Sequence, residues 1–335
     1  MAAQISSIPF LQHPLLGESV ALCISDKLGA LRGKKVVFSQ EDKNMVPIEG
    51  WGISHLDSIQ RPIVTLRARK QPMAVAAVDS SCIKVADSED GYVCAVKCGV
   101  AISYAGSSLL HKRIGPFLFY INEHALSEAG IEDKLVRLLL ADSERVERFV
   151  RIRTERSVQN ELSKSLSRAI ILVDGSLRPS QFEGRQNRLT EIVENCALAG
   201  NLLIGLSKST KFRVLERASS LLCSVPTAAC MDVTSLVRAL VKSSYGDNFM
   251  VTLGEERCPV LRADVASGGA EALSLLLGND QVHGGYPESL RLAHHISTFS
   301  ANEITCLRSY LVKRFGVVEL ASHDLRASLL GSMHV

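Results

Sequence analysis

The chain has few aromatic residues, 5% of its 335 with a single tryptophan, and almost no excess of charge, 38 Lys and Arg against 35 Asp and Glu for a formal +3. So even a balance does not mark a nucleic-acid binder by itself, although a local basic groove is compatible with it. No apolar run approaches the ~18 residues of a membrane span, so no transmembrane helix is expected. The first residues, MAAQISSIPFLQHPLLGESVALCIS, lack a basic start and a clear apolar stretch, so no secretion signal is expected either. Missing too are GxSxG, HExxH, GxGxxG and paired CxxC, which disfavours esterases, zincins, dinucleotide-binding enzymes and zinc ribbons. The G-x-x-x-x-G of GNLLIGLSKS is not a P-loop. Leu206 and Ser207 separate its second glycine from Lys208, so the register that wraps backbone N–H groups around a phosphate is lost.

Nine cysteines are present, an odd number at irregular spacing, which suggests neither a disulfide framework nor a zinc site. Most lie in apolar strings and read as buried reduced thiols, so a cytoplasmic protein is expected. With 46% hydrophobic and 22% charged residues the composition is that of a globular protein, of one large domain or two.

Residues 1–70 mix apolar pieces with turn-formers and a basic end, and read as a short helix followed by a few strands, an N-terminal segment ahead of a main domain over 71–335. From Met73 the pattern sharpens. MAVAAVDSS is an apolar run that meets an acid, so the first strand is expected to end at Asp79. YVCAVKCGVAISYA and PFLFYI follow as strands of an antiparallel meander. Residues 127–168 carry apolar positions at helical spacing, with Glu144/Arg148 and Glu147/Arg151 as i,i+4 pairs on the charged face. RAIILVDGSL then repeats the strand-to-acid theme at Asp174. Helices are expected over about 185–199, 212–223, 232–242, 290–299 and 302–315, with strands at 201–206, NFMVTLG and PVLRADVA. Strands repeatedly followed by helices predict an α/β fold with a mixed sheet flanked by helices.

Two apolar strands that run into Asp-(Ser/Gly)-Ser would, if adjacent, bring two carboxylates together. Like charges that close need a cation, and hard oxygen ligands favour Mg²⁺ or Mn²⁺. Two-metal phosphodiester hydrolysis is a common use of such a site. The plainer alternative makes Asp79 and Asp174 turn or cap residues. Glu155 is the candidate third carboxylate, with Glu161 as its competitor six residues later. Lys208 at the end of an apolar strand can hold a phosphate or be an ordinary loop lysine. His294 follows the Gly284-Gly285 and Pro287 turn, with His295 beside it, and neighbours ~100° apart on a helix cannot both face one site. A histidine near a metal serves as ligand, general acid or phosphate contact. Arg262-Ala263-Asp264 closes a further strand and offers another acid and base. The arginines at 148, 151, 153 and 156 line a channel or form a solvated helix face.

In order, AVDSS at 77–81, the acid-bearing helix, ILVDGSL at 171–177, GLSKST at 205–210, VLRADV at 260–265 and GYPESLRLAH at 285–294 resemble the NurA family of nucleases over roughly residues 73–300. The resemblance implies an RNase H-like core and cleavage of single- and double-stranded DNA ends, with 5′–3′ exonuclease and single-strand endonuclease modes. It implies Mn²⁺ (or Mg²⁺), two ions, and a homodimer of archaeal type. It further implies partnership with a HerA-type hexameric ATPase in end resection for homologous recombination and DNA repair. Carried over by position, Asp79, Glu155, Asp174 and His294 would be metal ligands and, with Lys208 as phosphate contact, the catalytic set. One departure is Ser80, where the family usually has glycine. Two other readings compete: a non-catalytic scaffold for a DNA translocase, and an actin-like nucleotide-binding kinase, which would bind ATP tightly with Mg²⁺.

Overall fold

From Ala74 to Val78 the chain is apolar at every position because both faces of this strand are covered, which leaves all five side chains fully buried. The computed structural model describes residues 27–38, 62–183, 188–208, 215–241, 244–254 and 258–319. In chain order the strands are β1 (Lys35–Phe38), β2 (Ile63–Thr65), β3 (Ala74–Ser88), β4 (Gly91–Tyr104), β5 (Ser107–Asn122), β6 (Ile170–Asp174), β7 (Leu202–Ser207), β8 (Ala229–Asp232), β9 (Asp247–Thr252), β10 (Leu261–Val265), β11 (Val282–His283), β12 (Tyr286–Pro287) and β13 (Val318–Glu319). The α-helices are α1 (Glu123–Glu128), α2 (Asp133–Leu140), α3 (Ser143–Ser165), α4 (Arg188–Ala199), α5 (Glu216–Cys223), α6 (Thr234–Leu240), α7 (Gly269–Asn279), α8 (Glu288–Ser297) and α9 (Ala301–Phe315).

The meander β3-β4-β5 is antiparallel, and β6 and β7 join β3 in parallel, giving the order β5-β4-β3-β6-β7. In sequence rank that is 3-2-1-4-5, the RNase H-like core that the resemblance implied. The sheet then continues antiparallel through β10, β9, β8 and β2. At the other end β1 pairs with the distal part of β3, and β13 lies parallel to β1. Helices cover both faces. One apolar layer joins Val78, Val100, Ile171 and Leu203 to Val158 and Leu162 of α3; the other joins Val75, Leu172 and Ile204 to Leu273 of α7 and Ala293 of α8.

Three expectations need correction or refinement. The first strand does not end at Asp79. It runs on to Ser88, because β4 stays paired with it along its whole length, while its ladder with β6 stops at Val78 opposite Val173. Ser80 therefore occupies extended strand rather than a tight turn, so its departure from glycine costs no turn geometry. The helical stretch at 127–168 is divided: Gly130, with a φ of 70° to the nearest ten in the left-handed region, breaks it after α1, and the Asp142 side chain caps α3 by accepting from the Glu144 N–H. Much of the segment 1–70 lies outside the described residues; those described include a 3-10 turn at Lys27–Leu31 and the strands β1 and β2. Residues 209–214 of the expected 212–223 helix, and 184–187 ahead of α4, also lie outside them.

Candidate active site

Val78 of β3 pairs with Val173 of β6, so the next residues on these parallel strands, Asp79 and Asp174, emerge side by side where the strands part. Strand spacing of ~4.8 Å brings the two main chains together, but each carboxylate turns to its own partners. Asp79 is buried. Its Oδ1 accepts from the Ser80 N–H at 2.8 Å, and its Oδ2 from His294 Nδ1 at 2.7 Å and the Ser297 hydroxyl at 3.2 Å. An ionised carboxylate has no proton to give, so Nδ1 carries it and Nε2 of the largely exposed His294 ring is left for other work. His294 and Ser297 come from one face of α8, a helix that the Gly284-Gly285 turn and the β11–β12 hairpin aim across the sheet.

Asp174 is partly exposed. Its Oδ2 receives the Lys208 ammonium at 2.8 Å, and its Oδ1 accepts from the Tyr286 hydroxyl at 3.2 Å. Lys208 follows β7, whose Leu206 is the register partner of Asp174, and its ammonium lies 5.1 Å from the Tyr286 ring centre. Burial, and then the Asp174 carboxylate beside it, push the Tyr286 phenol well above its ordinary range, so it stays a donor.

Glu155 reaches the same region from α3. Its Oε2 accepts from the Ser80 hydroxyl at 2.9 Å and its Oε1 from Gln159 Nε2 at 3.0 Å. Burial is the main cause that pushes its carboxyl up to about 7; Arg151 and Arg156 pull it down, and Asp79 adds to the rise. Glu155 and Asp174 line one cleft of about 210 Å³, with Arg151, Arg178, Ser176 and Ser180 on its walls. Glu161, six residues and about 600° of rotation further along the helix, is not among the residues that line it. Of the basic residues on α3, Arg156 is buried and bound to Glu183 and Gln159, Arg153 packs on the Phe149 ring, and Arg148 is exposed.

Asp264 works behind this surface. Fully buried, it binds Arg262 through two contacts at 2.9 and 2.7 Å, accepts from Asn248 at 2.7 Å, and accepts from the Leu177 N–H at 3.0 Å. That last bond holds the turn that follows Asp174, and the Gly175 N–H donates to the Leu206 carbonyl at 2.8 Å. Gly205 on β7 leaves room for this turn, since a Cβ there would stand 2.6 Å from the Gly175 carbonyl oxygen.

The five residues carried over from the resemblance thus lie at one end of the sheet, in three groups: Asp79 with His294, Asp174 with Lys208, and Glu155 with Ser80. Among the described residues no three His, Cys, Asp or Glu side chains form a group able to hold a metal ion as they stand. The oxygen donors of Asp79, Glu155 and Asp174 are nevertheless of the type a hard divalent cation takes, and a buried carboxyl held near neutrality is one that added positive charge would ionise. Sequence reasoning missed Tyr286, Ser297 and the Ser80 hydroxyl. Tyr286 was legible only as half of a Tyr-Pro turn; its phenol acquires a partner through the fold, 112 residues from Asp174.

Residues 73–219 match the family model of the NurA domain. Among solved structures the chain is similar to the NurA nuclease of Sulfolobus solfataricus at 16% identity, with 75% of this chain and 88% of that one covered and a TM-score of 0.49. A second NurA structure matches at 11% identity over 80% and 92% of the two chains, TM-score 0.46. The catalytic domain of human endonuclease V matches at 12% over 76% and 92%, TM-score 0.32. No curated protein sequence matches.

Proposed function

From the match of residues 73–219 to the NurA domain model, we propose that the chain is a NurA-family nuclease that hydrolyses DNA phosphodiesters, with a divalent cation, at the end of the sheet where β3 and β6 part. The observation that carries this reading is the shared cleft, in which Glu155 and Asp174 meet two arginines, Arg151 and Arg178. Carboxylates and guanidiniums on facing walls suit a substrate that is an anion and a cofactor that is a cation.

Asp79, Glu155 and Asp174 would hold the cation, Mn²⁺ or Mg²⁺, with His294 beside them. Bound there, it supplies Lewis acidity toward the phosphoryl oxygens and acidifies the attacking water. Arg151 and Arg178 orient the phosphate and offset its charge. Lys208, already on Asp174 Oδ2, is a second cation within reach of charge that develops in the transition state. Asp79 would fix the His294 tautomer with its proton on Nδ1, so that the bare Nε2 takes a proton from the attacking water as the water oxygen bonds to phosphorus, while the P–O bond to the 3′-oxygen breaks and that oxygen takes its proton from solvent. Tyr286 donates a hydrogen bond to Asp174 Oδ1 and keeps that carboxylate oriented.

The family resemblance extends the reading. It supports action on single- and double-stranded ends, 5′–3′ exonuclease and single-strand endonuclease modes, two Mn²⁺ ions, a homodimer, and work beside a HerA-type hexameric ATPase in resection. The nuclease domain in this reading spans 71–335, preceded by the segment 1–70. Eight free cysteines among the described residues support a reducing, cytoplasmic setting, and no helix among those residues is long and apolar enough to cross a membrane.

The test is cleavage of end-labelled linear DNA, single- and double-stranded, in EDTA, Mg²⁺ or Mn²⁺, with Asp79→Ala and Asp174→Ala alongside. Metal-dependent cleavage that both variants lose while staying folded is expected. Retained activity in either variant sinks the site. Absence of cleavage with every metal, with or without a HerA-type partner, returns the scaffold reading, and tight binding of ATP with Mg²⁺ returns the kinase reading.

A further inference from the structure

Helix α8 brings His294 and Ser297 to Asp79, and the strand it crosses carries no side chain at the crossing. Gly99 on β4 is the direct register partner of Asp79 on β3. A Cβ at Gly99 would lie 2.1 Å from the Ala293 carbonyl oxygen, and 3.0 Å from both the Ala293 carbonyl carbon and Ile296 Cβ. The two nearest of these atoms are backbone, so no side-chain rotation can clear them. Gly99 does not occupy the left-handed region, so its glycine serves close approach rather than an unusual φ. The two residues that press on it, Ala293 and Ile296, immediately precede His294 and Ser297, the two that reach Asp79 Oδ2.

We propose that Gly99 is a positioning residue for catalysis: its missing side chain sets the depth of α8 and thereby the contact of His294 with Asp79. The proposal rests on the reading that Asp79 and His294 belong to the nuclease site. To restore ordinary contact with an added methyl, the α8 backbone must retreat by roughly 1 Å or more. The Nδ1–Oδ2 separation of 2.7 Å would then pass the ~3.2 Å limit of a sound hydrogen bond. A displacement of that size in a catalytic group costs about 100-fold in rate.

The experiment is a double-mutant cycle of Gly99→Ala and His294→Ala, with Gly278→Ala as control. Gly278 in α7 is equally confined, since a Cβ there would meet the Arg69 carbonyl oxygen at 2.0 Å, but it belongs to no part of the site. Gly99→Ala is expected to lower kcat about 100-fold with KM for DNA little changed, and His294→Ala is expected to add almost nothing in that background. In the Gly278→Ala background His294→Ala keeps its full effect. Full additivity of Gly99→Ala with His294→Ala overturns the proposal.

A second readout needs no activity. The ring-nitrogen ¹⁵N shifts of His294, assigned by their loss in His294→Ala, report a fixed Nδ1–H tautomer in the parent protein and in Gly278→Ala. In Gly99→Ala they are expected to move toward the average of free tautomers; unchanged shifts in folded protein overturn the proposal. If the parent protein cleaves no DNA, the reading of function fails and this arm still decides on Gly99. If Gly99→Ala does not fold, Gly99→Ala/Ile296→Gly, which removes the side-chain part of the obstruction, the Ile296 Cβ, is measured against Ile296→Gly in the same way.

Discussion

The carboxyl of Glu155 ties the stability of the protein to pH in a direction opposite to that of most acidic groups. Burial holds it at about 7 in the fold, against 4.5 for an ordinary glutamate. Between those values the folded chain keeps a proton that the unfolded chain has released, so stability falls as pH rises through this window. The difference between the two pKa values corresponds to a loss of about 3 kcal/mol, complete above pH ~7 and absent below pH ~4.5. Glu155→Gln preserves shape and an acceptor for the Ser80 hydroxyl but cannot ionise. Urea unfolding in EDTA, from pH 4.5 to 8.5, is expected to give nearly equal stabilities at the acid end and a variant about 3 kcal/mol more stable at pH 8. Asp280 and Glu147, also raised chiefly by burial, act alike in both proteins and drop out of the difference. Parallel curves for parent and variant would refute the burial argument. A divalent cation at pH 8 is expected to recover stability in the parent and much less in Glu155→Gln, because only the parent has a charge to be compensated.

Lys208→Ala removes a half-exposed partner of Asp174, so thermal stability should change by less than about 1 kcal/mol. The salt dependence of DNA binding, titrated by fluorescence anisotropy, should lose about one unit of slope if this lysine meets a phosphate. Tyr286→Phe removes the hydroxyl on Asp174 Oδ1 and leaves the ring under Lys208; single-turnover cleavage should fall by about tenfold, the effect of one hydrogen bond of ~1.5 kcal/mol, with the unfolding midpoint nearly unchanged. Asp264→Ala removes the buried carboxylate to which Arg262, Asn248 and the Leu177 N–H all donate, a loss of about 3–5 kcal/mol that denaturant unfolding measures directly.

What the chain discloses before folding depends on how each residue earns its place. Asp79 and Asp174 stand out because strands buried on both faces read as unbroken apolar runs, and a carboxylate at the close of such a run has no packing purpose. The order of those runs also carries the mixed sheet. The inner half of α3 is different: from Thr154 to Asn160 every residue is buried and all but Val158 are polar, so apolar periodicity fades just where the helix meets the site, and Glu155 and Glu161 look alike until the cleft is formed. Tyr286 and Gly99 are harder still. The phenol has no meaning until β12 meets Asp174, 112 residues away, nor the missing side chain until α8 lies across β4, a contact between segments roughly 200 residues apart. The carboxylates of such a site are therefore written locally, as a change of residue type along a strand, whereas their alignment depends on close approach between distant backbones. A substitution that leaves every acid in place can still remove activity by moving one helix about 1 Å.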